Sequence, residues 1–160
     1  AAWGRRIGRG YLNPCSAILG DTSCGFDRTT AGYFYEGPVT TVTDSRVFSF
    51  DGLTEFEPDW FQRGRLEVVT GAAAGLTGAI KRDRFAEGTT RAVEIWEPLR
   101  AQVADGDVVR IIAGCDKRME TCRLKFNNLL NYQGFPDIPE DDWVTIQPTQ
   151  AKSQTGGSRR

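Results

Sequence analysis

Through the middle of the chain, apolar and β-branched residues gather in short runs set off by polar and turn residues. Residues 33–35 and 39–43 are rich in strand formers, and residues 46–50 alternate before the turn Asp51-Gly52. Residues 64–70 form another such run. A small-residue loop follows over 71–78, then a further run over 79–83, which together predict a hairpin with a wide loop. Residues 90–96 and 107–113 complete the set. Short strands broken by turn residues about every ten positions predict a small antiparallel β-barrel or sandwich.

The pattern changes after residue 113. Residues 116–126 read as a helix, with Asp116 as N-cap, Cys115 just before it, and Met119, Cys122, Phe126 and Leu129 as one apolar stripe. The expected class is mainly β with a short C-terminal helix, in one domain over residues 1–148. The β-rich part, about 29–113, is inserted between two cysteine pairs. No Pro/Gly/Ser-rich linker or internal repeat divides it. Residues 149–160 carry no large apolar side chain and are expected to form a flexible tail, ordered at most on a partner. The chain opens at Ala1 without methionine, which reads as a fragment of a longer protein.

Composition narrows the function more than it narrows the fold. With 160 residues and 39% hydrophobic content, the chain is long enough to bury its own core. A formal charge of −1 gives no basic stripe for specific nucleic-acid binding. No apolar run is long enough for a membrane span, and no export leader pattern opens the chain. There is no histidine. That removes Ser-His-Asp and Cys-His hydrolases, His-based zinc enzymes, haem attachment through C-x-x-C-H, and Rieske centres. No enzymatic activity is expected.

What remains is sulfur. Cys15-x8-Cys24 and Cys115-x6-Cys122 are separated by ninety residues. Four thiolates select zinc or an all-cysteine iron–sulfur cluster. Structural zinc sites present cysteines two to four residues apart, and neither pair does. Seven residues of helix cover about 10.5 Å, whereas thiolates on one zinc stand about 3.8 Å apart. A cluster spreads its ligands wider, although an off-axis Cys115 would shorten the gap. A Cys115–Cys122 disulfide fits poorly, because Cα atoms more than about 7 Å apart cannot be bridged. Disulfides across the pairs stay open. Lys117, Arg118 and Arg123 beside the second pair, and Arg5, Arg6 and Arg9 before the first, are either counter-charges for an anionic centre or solvated surface.

Other candidates read as structure. Asp105-Gly106-Asp107 is most simply a turn into a strand, and Glu140-Asp141-Asp142 a solvated loop or helix start, rather than carboxylate pairs for catalysis or a cation. Gly71, Gly75 and Gly78 lack the strand–turn–helix context of a dinucleotide fingerprint. Trp60, Phe61, Trp96, Tyr132, Phe135 and Trp143 are expected in the core or an interface.

Residues 14–27 around the first pair, and residues 114–128 with Asn131-Tyr132-Gln133-Gly134-Phe135-Pro136 around the second, resemble the C-terminal half of the tail-hub family of phages and gene transfer agents. The pair spacings are also similar to those of the minor tail protein L of phage lambda, where the intervening segment is much shorter. The resemblance spans about residues 14–139. It implies a structural tail-tip (hub or baseplate) component of a virion, assembled in the bacterial cytoplasm and acting in tail assembly and DNA delivery. Cys15, Cys24, Cys115 and Cys122 would be the ligands of a four-iron, four-sulfur (4Fe-4S) cluster. It further implies other tail-tip proteins as partners and a homo-oligomeric ring formed through an N-terminal half that this chain lacks. The alternatives are an iron–sulfur electron-transfer protein and a zinc-stabilised binding module.

Overall fold

The computed structural model describes residues 11–138. Its strands are β1 Phe34–Pro38, β2 Thr41–Thr43, β3 Val47–Asp51, β4 Arg65–Val68, β5 Thr77–Glu87, β6 Thr90–Ile95 and β7 Val108–Ile112, followed by the short helix α1 Met119–Leu124 and a single 3-10 turn at Leu129–Asn131. All pairings are antiparallel, in the order β1-β7-β4-β5-β6-β3-β2. The expected mainly-β class with a short C-terminal helix is what forms.

β5 explains the shape. It pairs with β4 through residues 77–79 and with β6 from Ile80 onward, and its register shifts between Ile80 and Arg82. Such irregularity bends and twists a strand, so the two halves of the sheet fold over one another like a sandwich. Phe48, Phe50, Phe61, Leu66, Ile80, Val93, Ile95, Val109 and Ile111 fill the space between them. β1 and β2 stand at opposite ends of the strand order, yet only Val39 and Thr40 separate them in the chain. The sheet therefore curls back toward itself without closing into a barrel. Val39 N–H donates to the Asp107 carbonyl at 3.0 Å and Thr40 N–H to that of Ser49 at 2.8 Å, holding the two edges close.

The runs of strand formers between turn residues located these strands well, with one informative departure. Residues 79–83 were expected as a short strand, but β5 runs on to Glu87. Residues 84–87 continue the pairing with β6 down to Thr90, and this hairpin carries a buried ion pair. On β6 the alternation places Arg91 beside Val93 and Ile95 on the inner face, fully buried. Its guanidinium makes two bonds to the equally buried Asp83, Nε to Oδ1 at 2.6 Å and Nη2 to Oδ2 at 2.7 Å. It also donates to the carbonyls of Leu53, Phe56 and Glu57 at 3.2, 2.9 and 2.6 Å, and lies 5.0 Å from the ring centres of both Phe61 and Phe85. Asp83 Oδ2 further accepts the Phe61 N–H at 2.8 Å. Every polar contact that water would have supplied is replaced, which makes the burial tolerable. The pair pins the loop of residues 52–64 onto the sandwich.

That loop meets the end of β7 backbone to backbone. Gly114 N–H donates to the Trp60 carbonyl at 3.1 Å. A Cβ at Gly64 would strike the Ile112 carbonyl oxygen, and one at Gly114 that of Gln62. Glycine is needed at this crossing, and Cys115 leaves the sheet there.

The helix is shorter than the sequence suggested. α1 begins at Met119 with Arg118 as N-cap, rather than at Asp116. Lys117 (φ 69°) and Asn127 (φ 46°) adopt left-handed backbone that no helix continues through. Asp116 still stabilises the start from outside, accepting the Arg118 N–H at 3.0 Å and the Thr121 hydroxyl at 2.9 Å. The expected stripe is only partly inward: Phe126 is buried and Cys122 half-buried, while Met119 and Leu129 are exposed. Cys115 lies off the helix, so the axial separation of 10.5 Å estimated for an unbroken helix does not apply.

Arg91→Met, which leaves Asp83 buried without a partner, should cost about 3–5 kcal/mol in equilibrium chemical unfolding. Asp83→Leu added to it should recover only part of the loss, because three carbonyls stay unpartnered; an unchanged midpoint in the single variant would contradict this assignment. Gly114→Ala should destabilise by about 1–3 kcal/mol through overpacking at the crossing, read as a lowered thermal midpoint.

Candidate metal centre

The segments that carry the two cysteine pairs run side by side, as the sequence anticipated, and direct hydrogen bonds join them. Cys15 N–H donates to the Lys117 carbonyl and Phe135 N–H to that of Leu12, both at 2.9 Å. The Asn13 amide reaches the carbonyls of Pro136 (3.1 Å) and Ile138 (3.3 Å). Tyr132 directs its hydroxyl at the carbonyls of Asn13 (2.9 Å) and Lys117 (3.3 Å), and the Lys117 ammonium donates to the Ala17 carbonyl. Within the first pair, Asp21 folds the intervening loop: its carboxylate accepts the N–H groups of Ile18 at 2.9 Å and Cys24 at 2.7 Å. Those backbone bonds hold its carboxyl below the usual range.

The result is that Cys15, Cys24, Cys115 and Cys122, ninety residues apart as pairs, line one small pocket. All four are half-buried, and none is in a disulfide. Ala17, Leu19 and Phe126 supply its apolar wall, Lys117 and Arg118 its cations, Asn128 and Asn131 its amides; no carboxylate lines it. Among the described residues, no group of three or more His, Cys, Asp or Glu is drawn together as for a single metal ion.

The electrostatics follow from this packing. Burial pushes the Cys122 thiol up to about 11, and repulsion from the other three sulfurs adds to it. Burial also raises Cys115, against the lowering effect of the Lys117 N–H and ammonium. Cys115 and Cys122 so placed resist ionisation until a cationic centre offsets burial and the repulsion between sulfurs. Two sulfurs already have donors: Gln133 N–H lies 3.4 Å from Cys15 Sγ and the Asn128 amide 3.5 Å from Cys24 Sγ.

Behind Cys115 stands Lys125, which the sequence did not single out. Its ammonium donates to the carbonyls of Trp60 (2.6 Å) and Gly114 (3.0 Å) and sits 4.3 Å above the Trp60 ring. Burial lowers its pKa to about 8, opposed by the neighbouring Cys115 and Asp116. Phe26, Tyr33, Trp60 and Phe126 pack as an aromatic cluster between the cysteine segments and the sandwich, with ring centres 4.8–5.9 Å apart. The donor set therefore fits a cationic core that four thiolates leave net negative: four sulfurs, cations in and behind the lining, and N–H groups aimed at sulfur.

The remaining candidates resolve as structure. Asp105 accepts the Val42 N–H and Asp107 that of Ala104, both at 2.9 Å, so the pair shapes the turn before β7. Gly71 and Gly75 occupy left-handed turns, and Gly78 pairs with Leu66 in the β4–β5 hairpin. Phe61 is core and Trp60 packs against it; Trp96 is exposed; Tyr132 and Phe135 belong to the seam. Of the expected counter-charges, Lys117 and Arg118 line the pocket, Arg118 with an exposed side chain, and Arg123 is exposed. Arg5, Arg6, Arg9, Glu140, Asp141, Asp142, Trp143 and the tail at 149–160 lie outside the described residues. No helix among the described residues is long and apolar enough to cross a membrane.

Comparison with known proteins is informative at this point. In a solved structure titled "Virion of native gene transfer agent (GTA) particle", one chain is 47% identical to this one, with a TM-score of 0.79. The alignment covers 99% of this chain and 54% of that one, so this chain spans about half the length of its relative. No curated protein matches. The family model described as "Phage conserved hypothetical protein BR0599" matches residues 59–142, a stretch that includes Cys115 and Cys122 and more than half of the sequence. The chain thus belongs to the phage conserved hypothetical protein BR0599 family.

Proposed function

We propose that the chain is a structural module of a phage-like virion, at the hub or baseplate of the tail tip, stabilised by an iron–sulfur cluster on Cys15, Cys24, Cys115 and Cys122. The observation that carries this reading is the convergence of four half-buried sulfurs on one pocket, in a chain 47% identical to a gene transfer agent virion chain. The spacing of the pairs, wider than the two to four residues of structural zinc sites, favours a multinuclear centre over zinc. Cations around the pocket suit a centre of net negative charge.

The cysteine segments also need such a centre. Within residues 11–28 and 115–138 the buried hydrophobics are Ala17 and Phe126 alone, while Tyr11, Leu12, Ile18, Met119, Leu124, Leu129 and Leu130 are exposed. Segments with so little core are held by staples or metals, and the binding energy of the centre becomes folding energy. The exposed apolar residues suit contacts with other tail-tip proteins, and a ring of identical copies would form through a further half of the protein. In this reading the chain acts in tail assembly and DNA delivery without catalysis of its own.

Anaerobic purification should yield a brown protein containing iron and acid-labile sulfide, and Cys115→Ser should lose both and lower the thermal midpoint. Colourless protein carrying stoichiometric zinc would replace the cluster by a zinc-stabilised module. Full iron and unchanged melting in the variant would remove Cys115 from the ligand set.

A further inference from the structure

We propose that Asn128 is a positioning residue of the four-sulfur site, its carboxamide holding Cys24 against Cys122 and aiming an N–H at the Cys24 sulfur; this rests on the iron–sulfur reading above. Asn128 is where the two cysteine pairs are tied through one residue. Its Nδ2 donates to the Cys24 carbonyl at 2.7 Å and lies 3.5 Å from Cys24 Sγ. Its backbone serves the other pair: Asn128 N–H donates to the Cys122 carbonyl at 3.0 Å.

The orientation of the carboxamide is fixed on chemical grounds. Asn128 Oδ1 accepts the Asn131 amide at 2.8 Å. Exchanging oxygen and nitrogen would set Oδ1 against the Cys24 carbonyl and Nδ2 against another donor, losing both bonds. Asn127 makes the arrangement possible. Its left-handed backbone ends α1 and turns the chain back over Cys122, which brings Asn128 into the pocket lining.

Two consequences follow from one amide. Its bond to the Cys24 carbonyl gathers the pairs without any metal, so the site is partly built before it is loaded. Its N–H facing sulfur favours the more negative oxidation state of a thiolate-bound cluster, which raises the reduction potential. A purely structural residue would deliver the first effect and not the second.

The test compares the full chain with Asn128→Ala and Asn128→Asp, each purified anaerobically. Three quantities are read: iron and sulfide content, the rate of iron release to a ferrous chelator, and the midpoint potential in a dithionite titration. Asn128→Asp keeps the size of the side chain and the acceptor for Asn131, so it reports even where the alanine variant folds poorly. Both variants should release iron about 10-fold faster or more. The potential should move negative in Asn128→Ala and further in Asn128→Asp, where a carboxylate faces the sulfur. Unchanged release and potential would overturn the proposal, as would faster release with an unchanged potential. Wild-type protein lacking iron and sulfide would overturn the reading of the site itself, before any variant is compared.

Discussion

The pairing of β1 with β7 is the constraint on which the arrangement depends. Phe34 stands opposite Ile112, and the Ala113 N–H donates to the Tyr33 carbonyl at 2.7 Å, so the chain enters and leaves the sandwich at one place. Ninety residues between Cys24 and Cys115 would otherwise form a loop whose closure is entropically costly. Because those residues bury a core of their own, the sandwich closes that loop and delivers both cysteine pairs to its end. The site is assembled by a sheet that contributes none of the four cysteines.

The seam then works at short range. Bonds from Asn13, Cys15, Tyr132 and Phe135 hold the two segments together, and the aromatic cluster with Lys125 fastens them to the loop of residues 52–64. That loop is fixed in turn by Arg91 and Asp83. Stability is therefore unevenly distributed: a sandwich with a dense apolar core supports segments that bury almost nothing apolar. The four-cysteine ligand set implied by the family resemblance would fasten the start of the polypeptide to its end through an inorganic centre. The hydrogen bonds across the seam give the protein a share in that task.

Much of this was legible in the chain. Strands such as β3 and β6 follow a strict alternation, because each has one face in the core and one outside it. The cysteine pairs stood out because a sequence without histidine leaves few other chemistries. What was missed has physical reasons too. Asp83 lies in a charged run, Arg82-Asp83-Arg84, that reads as solvated until Arg91 is placed opposite it. The helix was drawn too long because Lys117 and Asn127 carry no signal for left-handed backbone as strong as a glycine. The roles of Lys125 and Asn128 went unseen, and Tyr132 was expected only as a core or interface aromatic, since a polar side chain that bonds to distant carbonyls leaves no periodic trace.

The central claim is that four sulfurs, joined by no disulfide, surround one inorganic centre. Iron K-edge X-ray absorption on the anaerobically purified full chain tests it most directly. The account predicts a first shell of sulfur alone, with a second shell of neighbouring iron atoms. Iron coordinated by oxygen or nitrogen, or a protein that carries no iron under those conditions, would contradict it.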